Sequence, residues 1–157
     1  MLFGYGLTGG VRTMYRELSD LYKAPDDRVF LFGFSRGAFT VRALAGLLYR
    51  CGLPPAGCGD LDARFAHAWS LYKPHSPADD QKAEIERLQE TNRTCGIHFI
   101  GLWDTVKSYG GINPVSLPHL RHNPIVRHVR HALALHERRA WFQPTTWGQL
   151  DLDKCLA

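Results

Sequence analysis

The chain of 157 residues is long enough for one domain and no more. Its composition, 45% hydrophobic and 22% charged, excludes an intrinsically disordered protein and is typical of a globular domain. The net charge of +4 comes without a nucleic-acid recognition motif, so we expect no nucleic-acid partner.

The cysteines argue against both a disulfide scaffold and a metal site. The four residues form no C-x-x-C pair and no zinc-ligand pattern with the histidines; they are Cys51, Cys58, Cys95 and Cys155. We expect reduced thiols, with no cofactor and no metal.

Membrane insertion and classical export are not expected either. No apolar run approaches the roughly 20 residues that a transmembrane helix needs. Residues 1–6 lack the basic and apolar regions of a signal peptide. We therefore expect a cytoplasmic chain, and export by a secretion system that needs no signal peptide remains open.

The N-terminal part of the chain predicts a loop followed by one helix. Residues 1–10 are rich in glycine and have no period, which favours a loop. From Val11 the apolar residues recur at helical spacing, which predicts an amphipathic helix ending near Lys23. Ala24-Pro25-Asp26-Asp27 is then a turn.

The next stretch predicts a strand, a sharp turn and a helix. Val29–Phe32 is short, apolar and aromatic, as in a strand that is buried on both faces. Apolar residues return at helical spacing from Ala38 to about Arg50. Between them lies a G-x-S-x-G sequence, Gly33-Phe34-Ser35-Arg36-Gly37, in the strand-to-helix context of a nucleophile elbow.

The residue types of this turn suit a serine nucleophile. Such a turn forces the serine into a strained backbone conformation, and glycines on both sides leave room for it. Ser35 would lie at the helix N-terminus, where the backbone N–H of Arg36 could stabilise an oxyanion. The alternative is an ordinary strand–turn–helix connection built from small residues.

Two helices are predicted between this helix and the next strand. Leu61–Tyr72 is apolar on one side, and Ala78–Glu90 is polar with few apolar anchors. They form an insertion over about residues 60–92. In lipase-like enzymes such an insertion often caps the site, whereas the alternative is that both helices cover one face of the sheet.

A second strand carries the next candidate. Ile97–Trp103 is apolar almost throughout, which predicts a central strand parallel to Val29–Phe32. Asp104 follows it at the sheet edge that also carries the elbow, so it could be the acid that orients a histidine. The alternative is an aspartate that caps the following loop through backbone N–H groups.

The remainder of the chain predicts a loop over residues 107–123 and a helix over residues 124–135, with no further strand. Five histidines follow Asp104 and are candidates for the catalytic base: His119, His122, His128, His131 and His136. The first two fall in the predicted loop, and the other three fall within helical periodicity.

Three stretches resemble one known family. They are Gly33–Gly46, Phe99–Val106 and His131–Arg139, the last followed by Phe142, Pro144 and Trp147. Their sequence, order and separation are similar to those of an α/β-hydrolase family that includes phospholipase effectors of bacterial type VI secretion systems and uncharacterised fungal and bacterial relatives. The resemblance implies an α/β fold and hydrolysis of a lipid or other ester by Ser35, with a partner or immunity protein possible.

The chain also departs from this family. In relatives the catalytic histidine lies in a glycine-rich motif beyond the Phe-Pro-Trp segment, and an early strand with an Asp-Gly-Thr turn completes the oxyanion hole. Neither is present between Met1 and Ala157. The family's conserved histidine matches His131, which we interpret as structural although it remains a candidate base, and His136 stands where relatives carry an acid.

We therefore expect residues 1–157 to be a single incomplete α/β-hydrolase domain with few parallel strands. Ser35 and Asp104 would belong to its site, whereas the catalytic histidine would be missing by truncation. The isolated chain would then hydrolyse esters poorly. The alternative is a non-catalytic remnant, or an interaction or regulatory module, with the same fold.

Overall fold

A computed structural model describes residues 4–23, 25–73, 77–105, 109–110, 113–114, 117–134 and 146–148. Its helices are α1 (Gly4–Leu21), α2 (Arg36–Cys51), α3 (Leu61–Tyr72) and α4 (Asp79–Thr91). Its strands are β1 (Val29–Phe34), β2 (Ile97–Trp103), β3 (Tyr109–Gly110), β4 (Asn113–Pro114) and β5 (Val126–Ala132). Apart from residues 146–148, the chain after residue 134 lies outside the described residues. This part of the chain includes the candidate base His136.

The main sheet has three parallel strands in the order β1-β2-β5. Phe34 at the end of β1 pairs with Trp103 at the end of β2, and Trp103 pairs with Ala132 at the end of β5. The three strands therefore end level with one another. The predicted parallel pairing of β1 with β2 is confirmed, and the architecture is the expected partial α/β fold.

The prediction of a helix over residues 124–135 is wrong, because β5 occupies most of this segment. The expectation that no strand follows Trp103 is wrong for the same reason. Only Val126 and Val129 are apolar residues with branched Cβ atoms, and the intervening positions are arginine and histidine. Such a sequence fits helical spacing as well as a strand, and pairing with β2 decides between them.

The helices pack on one face of the sheet. α2 contacts β1 and β2, and α1, α3 and α4 all contact α2. α2 is buried along almost its whole length, which explains its nearly continuous apolar sequence. α1 begins at Gly4, so the prediction of a loop up to Gly10 is wrong: Leu7, one turn before Val11, is buried on the same side of the helix.

The insertion belongs to this helical layer. Aromatic residues of α3 pack against each other and against Tyr15 of α1, with 5.7 Å between the ring centroids of Phe65 and Tyr15 and also between those of Phe65 and Trp69. α3 and α4 therefore belong to the helical layer through their contacts with α2. None of the described helices has the length and apolar character needed to cross a membrane.

The other face of the sheet is exposed where β1 crosses it. Val29 and Leu31 point into the helical layer and are buried, whereas Phe30, Phe32 and Phe34 are exposed. The prediction that this strand is buried on both faces is therefore wrong. A run of apolar residues predicts a strand that avoids water, but it does not show whether one face of the strand or both are covered.

Candidate active site

Ser35 is the single residue between β1 and α2. Its backbone angles are φ 54° and ψ −117°, a conformation that residues with a side chain rarely adopt. Holding a serine there costs of the order of 1–3 kcal/mol, and such strain is concentrated at functional turns. The predicted strand-to-helix elbow at Ser35 is confirmed.

Gly33 makes this sharp turn possible. A Cβ atom built on it would lie 2.6 Å from the backbone N and Cα of Ala38 and from the carbonyl oxygen of Gly37. The start of α2 therefore rests directly on the end of β1. Gly37 differs, because nothing lies within 4 Å of a Cβ built there, so only the first glycine of the motif is required by close packing.

Backbone hydrogen bonds fix the turn at Ser35, and they do not involve its hydroxyl group. The N–H of Ser35 donates to the carbonyl oxygen of Trp103 at 2.8 Å, which continues the β1–β2 ladder by one residue. Its carbonyl oxygen accepts from the N–H of Phe39 at 3.3 Å, in the first turn of α2. Ser35 Oγ does not cap the helix, and within the described ranges it has no hydrogen-bond partner. Arg36, whose N–H was the predicted oxyanion donor, is the first residue of α2.

Asp104, the residue after β2, lies level with Ser35, because Phe34 and Trp103, the residues before them, are paired. Its N–H donates to the carbonyl oxygen of Ala132 at 3.0 Å, and its Oδ1 accepts a hydrogen bond from the N–H of Ala134. Asp104 also has a positive φ, 45°. It therefore ties the residues that follow β5 to the end of β2, whereas the capping alternative expected it to hold the segment that comes directly after Asp104.

His131 lies on β5 opposite Leu102, on the face of the sheet that the helices cover. Its Nε2 and Thr105 Oγ1 are 3.1 Å apart and share a hydrogen bond. Burial lowers the pKa of His131, the positive charge of Arg42 lowers it further, and Asp104 opposes both effects. The ring is consequently neutral at neutral pH.

The structure brings Ser35 and Asp104 to one edge but does not join a histidine to Ser35. β2 lies between β5 and β1, so the backbone of His131 is about 10 Å from that of β1, the strand that leads into Ser35. The ring of His119 packs against Tyr49 at a centroid distance of 4.7 Å, and His122 is exposed in the same loop. His128 lies on the opposite face of the sheet, where its ring packs edge-on against that of His98.

Comparison with known proteins adds a family assignment to this geometry. The sequence model of the family described as "T6SS, Phospholipase effector Tle1-like, catalytic domain" matches residues 1–155. The chain belongs to this family. It is also 35% identical, over 152 residues, to the uncharacterised protein YEL023C of Saccharomyces cerevisiae, with 90% of this chain covered. The chain spans 22% of the length of that relative. No solved structure is significantly similar to it.

For this family member, sequence analysis missed two residues near the site. One is Thr105, whose buried hydroxyl contacts His131. The other is Arg42, which is fully buried in α2 and donates from Nε to the carbonyl oxygen of Leu120 at 2.8 Å and from Nη2 to that of Thr146 at 3.1 Å. An arginine inside a nearly continuous apolar helix is the sequence signal that could have identified it.

Arg42 connects the helical layer to the loop before β5, through Leu120, and to Thr146 and Trp147, which follow β5. Its guanidinium lies 5.5 Å from the ring centroid of Trp147, a distance typical of a cation–π contact. Burial and then the charge of Arg121 lower the pKa of Arg42 to about 10, so it stays protonated at neutral pH. Among the residues that the structure describes, no group of His, Cys, Asp and Glu is arranged to hold a metal ion.

Proposed function

We propose that the chain is a serine-dependent ester hydrolase of the lipase and phospholipase type, with Ser35 as its nucleophile. The strained backbone of Ser35 between β1 and α2 is the observation that carries this proposal. Its hydroxyl has no competing partner in the described part of the chain, and the N-terminus of α2 provides partial positive charge beside it. The backbone N–H of Arg36 is our candidate for one oxyanion donor.

Asp104 is our candidate for the acid. It directly follows β2, the strand paired with β1, at the edge of the sheet that carries the nucleophile. Since Oδ1 accepts from Ala134, the other carboxylate oxygen can orient a histidine, as the acid of a catalytic triad does. The carboxylate also raises the pKa of His131, which means that the two groups lie within electrostatic range of each other.

The base is the least supported member of the site. His131 Nε2, the atom that would take the proton from Ser35, is hydrogen-bonded to Thr105. We propose that His131 is structural and that the base comes from outside the described residues. No histidine of the described residues is hydrogen-bonded to Ser35, and a serine without its base loses several powers of ten in rate, so we expect slow turnover of esters.

The substrate proposal rests on the family. Its phospholipase description favours a phospholipid, or another ester of similar shape, as the substrate of this chain. By the same reasoning we propose export without a signal peptide and a possible neutralising partner protein.

A labelling experiment tests the nucleophile even if turnover is slow. The purified chain is incubated with a fluorophosphonate, and the modified serine is found by mass spectrometry, beside hydrolysis of a short-chain nitrophenyl ester and a phospholipid. We expect slow labelling at Ser35 and slow hydrolysis, and Ser35→Ala should abolish both. Ser70→Ala, an exposed serine of α3, is the matched control and should change neither result.

Three outcomes would change the assignment. Hydrolysis that persists in Ser35→Ala would show that the reaction takes place elsewhere. Rapid hydrolysis that is lost in both Ser35→Ala and His131→Gln would make His131 the base. Absence of both labelling and hydrolysis would favour the second candidate function, a non-catalytic interaction module, which the exposed aromatic face of the sheet supports.

A further inference from the structure

Basic side chains gather at the amino end of the main sheet. The ring of His98 on β2 packs edge-on against that of His128 on β5, with 5.5 Å between the centroids. The ring of His98 also contacts that of Phe30 on β1, at 5.2 Å. Arg28 directly precedes β1, is exposed, and acts on His98 through its charge. We call Arg28, His98 and His128 the basic cluster.

An irregularity in the pairing of β1 with β2 places His98 beside the exposed Phe30. Val29 pairs with Ile97, but the next residue of β1, Phe30, pairs with Phe99. His98 is therefore an extra residue in β2. An extra residue of this kind interrupts the alternation of a strand and redirects its side chain. Ile97 stays buried among the helices, while His98 is partly exposed at the amino end of the sheet.

The basic cluster collects positive charge without a counter-ion. The pKa of His98 is lowered, by burial first and then by the charge of Arg28, and His128 and Arg127 lower it further. No strand of the main sheet contains an aspartate or a glutamate. Neither Arg28 nor Arg127 forms a salt bridge in the part of the chain that the structure describes. Repulsion between these groups disfavours protonation of His98, and a bound anion would relieve it.

The carboxylate next to the cluster in the sequence makes a different contact. Asp27 precedes Arg28, but its Oδ2 accepts a hydrogen bond from the N–H of Lys23 at 2.7 Å, just beyond the end of α1. Asp27 therefore closes the turn between α1 and β1. The positive charge of Arg28 remains available to a ligand.

We propose that the basic cluster binds a phosphate group, which lies over β2 between the guanidinium of Arg28 and the imidazoles of His98 and His128. Neighbouring strands are about 5 Å apart, so a phosphate over β2 is within reach of side chains from β1 and β5. Its tetrahedral oxygens diverge and can accept hydrogen bonds from three sides, whereas the two oxygens of a carboxylate lie in one plane with its carbon. A guanidinium donates to two phosphate oxygens in parallel, and each neutral imidazole donates one N–H.

This phosphate site is separate from the candidate active site. Arg28 and Ser35 lie at opposite ends of β1, whose six residues span roughly 20 Å. The phosphate of a phospholipid is only a few bonds from its ester groups, so one substrate molecule cannot occupy both sites. The ligand is therefore a soluble phosphate ester or the headgroup of another lipid, and the proposal does not depend on hydrolysis at Ser35.

Nuclear magnetic resonance of the histidine rings in the whole chain tests the site. We expect sodium phosphate to shift the ring signals of His98 and His128 and to leave that of His122, in the exposed loop, unchanged. Sodium chloride and sodium acetate at equal ionic strength are the controls and should shift none of the three. Arg28→Gln should weaken phosphate binding about tenfold, because a charged hydrogen-bond donor is lost. Arg12→Gln, at an exposed position of α1, should bind phosphate as the wild type does.

Sulfate tests the contribution of His98, because the charge of sulfate stays constant near neutral pH. Its affinity should rise as the pH falls from about 7 to about 5.5, since a protonated His98 adds a charge and a second N–H donor. His98→Gln should remove most of this pH dependence. A wild-type affinity for sulfate that does not change with pH would overturn the assignment of His98 to the site.

Two further measurements distinguish the sources of the phosphate. Glycerol 3-phosphate represents a soluble ester, and vesicles of phosphatidic acid in phosphatidylcholine represent a membrane. Preference for these vesicles over pure phosphatidylcholine, reduced about tenfold in Arg28→Gln, would assign a lipid headgroup. Binding of glycerol 3-phosphate without this preference would assign a soluble ester, and either result supports the site. Equal shifts with acetate and phosphate, no shift with phosphate, or unchanged phosphate affinity in Arg28→Gln would overturn the proposal.

Discussion

Thr105 and His131 are joined by a hydrogen bond between Oγ1 and Nε2, 3.1 Å apart. Thr105 lies two residues beyond β2 and is fully buried, whereas His131 is the penultimate residue of β5. The bond therefore fixes the imidazole at the edge of the sheet that also carries Ser35. It also places the ring where burial and Arg42 disfavour its protonation.

The first prediction concerns pH. The pKa of His131 is lower in the folded chain than in the unfolded chain, so the unfolded chain binds more protons as the pH falls. The stability that His131 contributes is present above its unfolded pKa, about 6.5, and is lost as the pH falls through the lower folded value. The urea midpoint should thus fall between about pH 7.5 and pH 5.

Replacing the histidine identifies its share of this effect. His131→Gln should make the urea midpoint less dependent on pH, whereas His122→Gln, in the exposed loop, should leave the dependence as it is. Some dependence will remain in His131→Gln, because the pKa of His98 is also lowered, by burial first and then by Arg28. An unchanged pH dependence in His131→Gln would contradict the prediction.

The second prediction concerns Arg42. Arg42→Lys cannot reproduce donation to both Leu120 and Thr146 from one planar group, so it should lower the free energy of unfolding by about 2 kcal/mol or more. Chemical denaturation measures this loss. Arg12→Lys, on the exposed side of α1, is the matched control and should change stability little. Equal stability of the two variants would mean that the fork geometry of Arg42 is dispensable.

The third prediction separates the two glycines of the elbow. Gly33→Ala places a methyl group 2.6 Å from the backbone of Ala38, and neither backbone segment can move independently. We expect a loss of about 1–3 kcal/mol in the free energy of unfolding. Gly37→Ala has open space around the new methyl group and should be neutral or slightly stabilising within α2. Similar losses for both variants would show that the first glycine has no special role.

The fourth prediction is that the serine side chain at position 35 is needed for reaction with a fluorophosphonate but lowers the free energy of unfolding. Ser35→Gly removes the side chain from a residue with φ 54° and should raise the free energy of unfolding by about 1 kcal/mol. It should at the same time abolish labelling by a fluorophosphonate. Ser35→Ala, which keeps the Cβ atom, should lose labelling without becoming more stable. A destabilised Ser35→Gly variant would mean that the serine side chain makes a favourable contribution to the fold.

The sequence alone determined β1, α2 and β2 and the elbow between the first two. These elements are specified by nearby residues. α2 and β2 have long apolar runs. Gly33 allows the end of β1 to contact the backbone of Gly37 and Ala38 at the start of α2. The neighbouring positions of Ser35 and Asp104 followed from the rule that parallel strands place their carboxyl ends at one edge.

Only the tertiary structure decided that His131 belongs to a strand. The spacing of Val126 and Val129 is compatible with a helix, and the hydrogen bonds that make β5 a strand come from β2, which lies far away in the sequence. The same reason applies to the exposed aromatic face. Phe30 and Phe32 are as apolar as Val29 and Leu31, the buried residues that alternate with them. A hydrophobic sequence specifies which residues avoid water but not which neighbour will cover them.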